Sequence, residues 1–157
     1  MDTHIFSTPI GMAKIEGHHS GISSFKIIED AKASETPVPE SLIEAVSQIR
    51  AYFSKELNEF SLKLSPEGTE FEQLVWETLG RIPYGKTISY LELSRQLNMP
   101  KAIRAVAKAN GKNPLWILVP CHRVIGSDGS LTGYAGGLWR KQWLLEHESG
   151  IIQKTLF

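Results

Sequence analysis

Three consecutive residues, Cys121-His122-Arg123, place a thiol, an imidazole and a guanidinium side by side between Pro120 and Val124. The thiolate is the nucleophilic form of cysteine, and neighbouring cations raise its fraction. A lone cysteine is most often a small buried hydrophobe. This string, however, supplies a nucleophile, a base and a cation together, which a structural cysteine does not require. Cys121 is the only cysteine of the 157-residue chain, so no intramolecular disulfide can form and a reducing, cytoplasmic setting is expected.

The elements that would position this string can be read on both sides of it. Ile117-Leu118-Val119, between Trp116 and Pro120, predicts a short buried strand with the thiol at its end. Upstream, a helix is expected from Pro100 to about Asn110, because proline at the first helical position loses no hydrogen bond. Lys101, Arg104 and Lys108 fall on one side of it, with Ala102, Ala105 and Ala109 beside them, while Ile103, Val106, Ala107 and Asn110 form the buried face. Small residues allow close approach and cations pair with phosphates, so this helix reads as facing nucleic acid, with Arg104 protruding. Ser89 and Glu92 have the spacing of a capping box for a preceding helix to about Leu97. With the Asn98-Met99 turn, the two helices form a helix-turn-helix candidate, whose commoner docking is in the major groove.

Downstream, Ser127-Asp128-Gly129-Ser130 predicts a turn, and Leu131 to Gly137 a loop whose glycines and Tyr134 could close over a flat ligand. A last helix, about Leu138 to His147, is expected to be anchored by Trp139, Trp143, Leu144 and Leu145 and to present Lys141 and Glu148.

Charge supports a polyanionic partner. The chain is neutral overall, but residues 1–68 carry 6 basic and 10 acidic side chains and residues 69–157 carry 11 and 7. Between Arg81 and Arg123, eight basic residues face Glu92 alone. No apolar run reaches the roughly 18 residues that span a bilayer, and no signal-peptide pattern opens the chain.

The N-terminal third predicts short strands at His4-Ile5-Phe6, Gly11 to Ile15 and Ile22 to Ile28. A helix with Leu42, Val46, Ile49 and Phe53 on one face follows. His4, His18 and His19 are expected at the surface or in turns, since no further ligands complete a metal site. Ser65-Pro66-Glu67-Gly68 reads as a linker between residues 1–64 and 69–157. Thr69 and Glu72 then form a capping box for a helix burying Leu74, Val75, Thr78 and Leu79.

Taken in order, Arg104-Ala105-Val106, Asn113-Pro114, Pro120 to Val124, Tyr134 to Gly137 and Trp143 to Glu148 resemble the methylated-DNA–protein-cysteine methyltransferases, from about Thr69 to Gly150. The resemblance implies an α+β fold, with a small N-terminal α/β (RNase H-like) structural domain and a mainly helical DNA-binding and alkyl-transfer domain containing a helix-turn-helix. It implies a repair protein acting as a monomer on double-stranded DNA containing O6-alkylguanine, without metal or other cofactor. The lesion is flipped out through the minor groove and its alkyl group passes irreversibly to Cys121. Carried over by position, His122 is the base, linked to the thiol through water; Glu148 orients it and Asn113 holds the turn. Tyr90, Val124, Tyr134, Ala135 and Lys141 would receive the base. Arg104 would fill the vacated stack, and Lys101, Ala105, Lys108 and Ser127 would contact DNA. Two alternatives remain at this level. One is a non-catalytic damage sensor of the same architecture, whose members lack the cysteine. The other is a helix-turn-helix regulator or Cys-His hydrolase, which explains the basic helix or the thiol but not both.

Overall fold

The computed structural model describes residues 1–150, a mixed α/β chain in two compact units that divide between Glu67 and Gly68.

The first unit is an antiparallel meander of β1 (Asp2–Thr8), β2 (Gly11–His18) and β3 (Gly21–Ile27), in the order β1-β2-β3. Side chains alternate across a sheet, so Phe6 on β1, Ala13 and Ile15 on β2 and Phe25 and Ile27 on β3 share the buried face. Helix α1 (Ile43–Phe53) contributes Val46, Ile49 and Tyr52 to the buried set. Tyr52, rather than the expected Phe53, is its buried aromatic. His4 also departs from expectation: it lies inside β1, buried, its ring 6.2 Å from that of Phe6. His18 and His19 are exposed. The start of the expected linker is pinned to the sheet, since Ile22 N–H donates to Lys63 O (2.9 Å) and Ser65 N–H to Ile22 O (2.8 Å).

The second unit opens with α2 (Glu70–Leu79), whose capping box forms in both directions: Glu72 N–H donates to Thr69 Oγ1 (3.1 Å) and Thr69 N–H to Glu72 Oε1 (2.9 Å). Gly68 is required just ahead of it, because a Cβ there would lie 2.4 Å from the Trp76 ring. Val75, Trp76, Thr78 and Leu79 are buried, but Leu74 is not, being 42% exposed. Trp76 ties α2 to the basic helix by donating its indole N–H to Ala109 O (2.8 Å).

Strand β4 (Ile88–Ser89) runs into α3 (Tyr90–Gln96), where Ser89 Oγ accepts from Glu92 N–H (3.0 Å), the hydroxyl half of the predicted box. Asn98 turns the chain at φ 59°. Helix α4 runs from Ile103 to Gly111, so Pro100 opens a turn instead of the helix, and Lys101 precedes it. The buried face of α4 is Val106, Ala109 and Asn110; Ile103 is 37% exposed.

The expected strand at 117–119 is absent. Leu118 N–H donates to Trp116 O (2.8 Å) and Val119 N–H to Leu115 O (2.9 Å), closing a tight turn with Ile117 at φ 72°. A β-branched residue in the left-handed region is strained and persists only where its surroundings over-determine it. Here Leu115 to Val119 are all buried, and Asn113 binds their backbone. A single 3-10 turn (Cys121–Arg123) leads into β5 (Val124–Ile125), which pairs in parallel with β4 through Ile88 and Val124. Helix α5 spans Leu138–Ser149 and stops at Gly150, φ 71°. Trp139, expected in the core, is 52% exposed with the Arg140 guanidinium 4.5 Å from its ring centroid. Among the described residues no helix is long and apolar enough to cross a membrane.

Candidate functional site

Asn113 builds the platform under the thiol. Its Nδ2 donates to Val119 O (2.8 Å) and Leu115 O (3.2 Å), and its Oδ1 accepts from Leu115 N–H (2.9 Å). These three bonds close the turn that delivers Cys121. The Cys121 residue is buried, 4% exposed, and burial pushes its thiol up to about 11. A hydrogen bond with Asn113 and the Lys141 charge pull in the opposite direction without overcoming burial. The resting thiol is therefore neutral, contrary to the depressed pKa that the adjacent cations suggested.

The two side chains that follow Cys121 are occupied elsewhere. His122 Nε2 lies 2.7 Å from Glu148 Oε2, and both side chains are buried. Arg123 donates from Nε to Glu148 Oε1 (2.7 Å), from Nη2 to Oε2 (3.1 Å), and from Nη1 to Ile82 O (2.7 Å). Burial alone would raise the Glu148 carboxyl, but the charge and hydrogen bond of His122, with those of Arg123, outweigh it and hold the carboxyl well below the usual range. Glu148 is thus ionised and fully bonded, and it fixes the imidazole so that Nδ1 has no hydrogen-bond partner among the described residues.

Lys141 is likewise buried instead of presented to solvent. Its Nζ donates to Thr132 O (2.9 Å) and Gly133 O (3.3 Å), and burial lowers it to about 8. Tyr90 OH donates to the same Thr132 carbonyl (3.0 Å), so two side chains from α3 and α5 hold one loop residue. Tyr134 packs its ring 5.6 Å from that of Trp116, while its hydroxyl is buried without a hydrogen-bond partner among the described residues.

A cleft of about 610 Å³ opens between these elements. Tyr90, Ile103, Arg104, Ala107 and Asn110 line one side, and Thr132 to Ala135 the other. Asn110 connects it to the thiol-bearing backbone, its Nδ2 3.5 Å from Cys121 O. Of the expected site residues, Tyr90, Arg104, Tyr134 and Ala135 therefore line one cleft. Cys121, His122, Asn113 and Glu148 are all buried, His122 bonded to Glu148 and Asn113 to the turn before Cys121, with Val124 buried at the start of β5. Lys101, Ala105 and Lys108 are exposed on and just before α4, and Ser127 on the turn after β5; none of these four lines the cleft. Sequence reasoning missed the cleft position of Asn110 and the Glu148 clamp made by Arg123. An amide on an otherwise apolar helix face was the available signal for the first. The second was hidden by the assignment of Arg123 to the thiol.

Residues 70–150 match the family model described as the DNA binding domain of 6-O-methylguanine DNA methyltransferase. The methylated-DNA–protein-cysteine methyltransferase of Mycobacterium bovis is 48% identical over 145 residues, covering 90% of this chain and 88% of the relative. The chain belongs to the methylated-DNA–protein-cysteine methyltransferase family. A second methyltransferase of this name, from Methanosarcina barkeri, is 45% identical over 154 residues, covering 95% and 98% of the two chains. Among solved structures, a Mycobacterium tuberculosis methyltransferase in complex with DNA superposes with a TM-score of 0.86 at 46% identity, covering 94% of this chain and 92% of that one.

Proposed function

We propose that this protein repairs DNA by extruding O6-alkylguanine from the duplex and transferring its alkyl group to Cys121, once per molecule. The observation that carries the reading is the buried Cys121 followed at once by His122, which Glu148 holds at 2.7 Å, in the unit whose cleft is lined by Arg104. The related methyltransferase crystallised with DNA supports nucleic acid as partner.

In the reaction, the Cys121 proton passes through a water molecule to His122 Nδ1, the imidazole nitrogen that Glu148 leaves free. The resulting thiolate attacks the alkyl carbon, forming a C–S bond as the C–O6 bond breaks. Guanine departs with the electron pair and takes up a proton, leaving a thioether on Cys121. The C–S bond of a thioether is not opened by thiol–disulfide exchange, so the transfer ends the molecule's activity. Glu148 positions and stabilises the imidazolium, and Asn113 fixes the turn.

Extruding the base costs a few kcal/mol of stacking, which the Arg104 side chain offsets by occupying the gap. Helices α3 and α4 act as a helix-turn-helix docked in the minor groove, with Lys101, Ala105, Lys108 and Ser127 against the DNA. Tyr90, Val124, Tyr134, Ala135 and Lys141 surround the base. Residues 1–64 form a supporting domain of RNase H-like type and residues 69–157 carry DNA binding and transfer. The protein works as a monomer in the cytoplasm. Cys121→Ser tests the reading: transfer is lost while affinity for undamaged duplex is kept, and a variant that still accepts the alkyl group would overturn it.

A further inference from the structure

Helix α2 carries more apolar surface than the fold covers. Val75, Trp76, Thr78 and Leu79 are buried, while Leu74, which the sequence pattern assigns to the same face, is 42% exposed. Leu74 lies instead in a groove of about 520 Å³, lined by Glu70, Phe71, Gln73, Leu74 and Glu77 of α2 and by Met99 from the turn between α3 and α4. Residues 70, 74 and 77 recur at i, i+4 and i+7, so the groove follows one face of α2 for two turns, about 10 Å. Phe71, Leu74 and Met99 are its apolar part, and methionine adapts its shape to whatever packs on it.

The α2 lining begins and ends in a carboxylate. Arg81 Nη2 lies 4.0 Å from Glu77 Oε1 with both side chains exposed, too loose a pair to neutralise that end. Residues 69–157 carry 11 basic and 7 acidic side chains, yet no basic residue and no residue of α4 is among the described residues that line the groove. Phosphate groups, whether of DNA or of an anionic membrane, are repelled by such a face. A helix with an apolar stripe and cationic flanks is complementary to it in shape and in sign.

We propose that this face of α2 docks an amphipathic helix of a partner protein, which seats apolar residues spaced i, i+3 or i+4 and i+7 on Phe71, Leu74 and Met99 and pairs its flanking lysines or arginines with Glu70 and Glu77. The surface is separate from alkyl transfer, since none of its six residues lines the cleft of Arg104. Through Met99 the partner touches the turn that joins α3 to α4, and it leaves α4 itself uncovered.

The test is fluorescence anisotropy on the full-length protein without DNA, using a labelled helix of about 15 residues with leucines at i, i+4, i+7 and i+11 and lysines beside them. A second probe carries glutamates in place of the lysines. The wild type is expected to bind the lysine probe at least about tenfold more tightly than the glutamate probe, with a preference that salt weakens. L74E, an exposed substitution by a helix former, lowers that affinity by about tenfold, and E70Q/E77Q by about fivefold. Both variants keep the wild-type rate of transfer from duplex DNA, and L74Q is read in the same way if L74E does not melt cooperatively. Equal affinity for the two probes, or binding undiminished in both variants, overturns the proposal by showing that the lysine probe adheres elsewhere. Self-association of the wild type that L74E abolishes would assign the groove to a second copy and overturn the partner helix. Tighter probe binding by a chain ending at Gly150 would assign it to residues 151–157 and do the same.

Discussion

Arg123 grips Glu148 through both carboxylate oxygens, at 2.7 and 3.1 Å, while the same carboxylate holds His122 at 2.7 Å. One anion therefore serves two buried cation-forming groups, and the imidazole is fixed by a residue that is itself fixed. The energetic consequence is asymmetric. Removing one member of such a group leaves the others desolvated and uncompensated.

Glu148→Gln is accordingly expected to lower unfolding free energy by about 3–5 kcal/mol at pH 7 and to slow alkyl transfer. The Glu148 carboxyl titrates below its ordinary value, so its contribution is present above that value and declines as pH falls through and below it. Urea denaturation of both proteins at neutral pH and near pH 4 should show the deficit shrinking on acidification. A constant deficit would place the effect in packing instead.

The neutral resting thiol predicts chemical inertness without substrate. With its pKa raised to about 11 from 9.0, Cys121 has about a hundredfold smaller thiolate fraction near neutral pH than the same residue in the unfolded chain. Alkylation by iodoacetamide should be slower by at least about that factor in the folded protein and should rise about tenfold per pH unit. Rapid modification at pH 7.5 would mean that the thiolate is already formed before DNA binds.

Arg104 lines the cleft, whereas Lys108 is exposed on the same helix away from it. Arg104→Ala should reduce transfer from duplex lesions while barely changing transfer from a lesion in single-stranded DNA, where no stack needs filling. Lys108→Ala should weaken all duplex binding alike and reduce the salt slope by about one. Identical effects of the two substitutions would remove the distinction.

Lys141 provides an alkaline signature. Burial lowers it to about 8 from 10.5, so the unfolded chain binds the extra proton between those values and raising pH through them favours the folded state. The stability of the wild type relative to Lys141→Met should therefore increase from pH 8 to 10.5, as followed by thermal melts. A flat difference would mean that the amine is solvated.

The features legible in the sequence were those with local physical causes. The Thr69 and Glu72 cap and the three alternating strands of the first unit depend on neighbours a few residues away. The chemistry-bearing string was legible for the same reason. Its electrostatics were not, because the sign of the thiol shift depends on burial, and the role of Arg123 on an anion 25 residues downstream. The apolar run Ile117 to Val119 was read correctly as buried but wrongly as a strand. Hydropathy reports what is covered; the hydrogen bonds of Asn113 decide how the backbone turns beneath it. Pro100 misled similarly, since a residue permitted at a helix start is equally suited to the turn before one.

The most direct measurement is peptide mass spectrometry after mixing the protein with excess duplex containing a single O6-methylguanine. The account predicts one methylene unit gained per molecule, confined to the Cys121 peptide, with guanine restored in the DNA and no second turnover. A methyl group on another residue, catalytic turnover beyond one equivalent, or a lesion bound yet unchanged would contradict it.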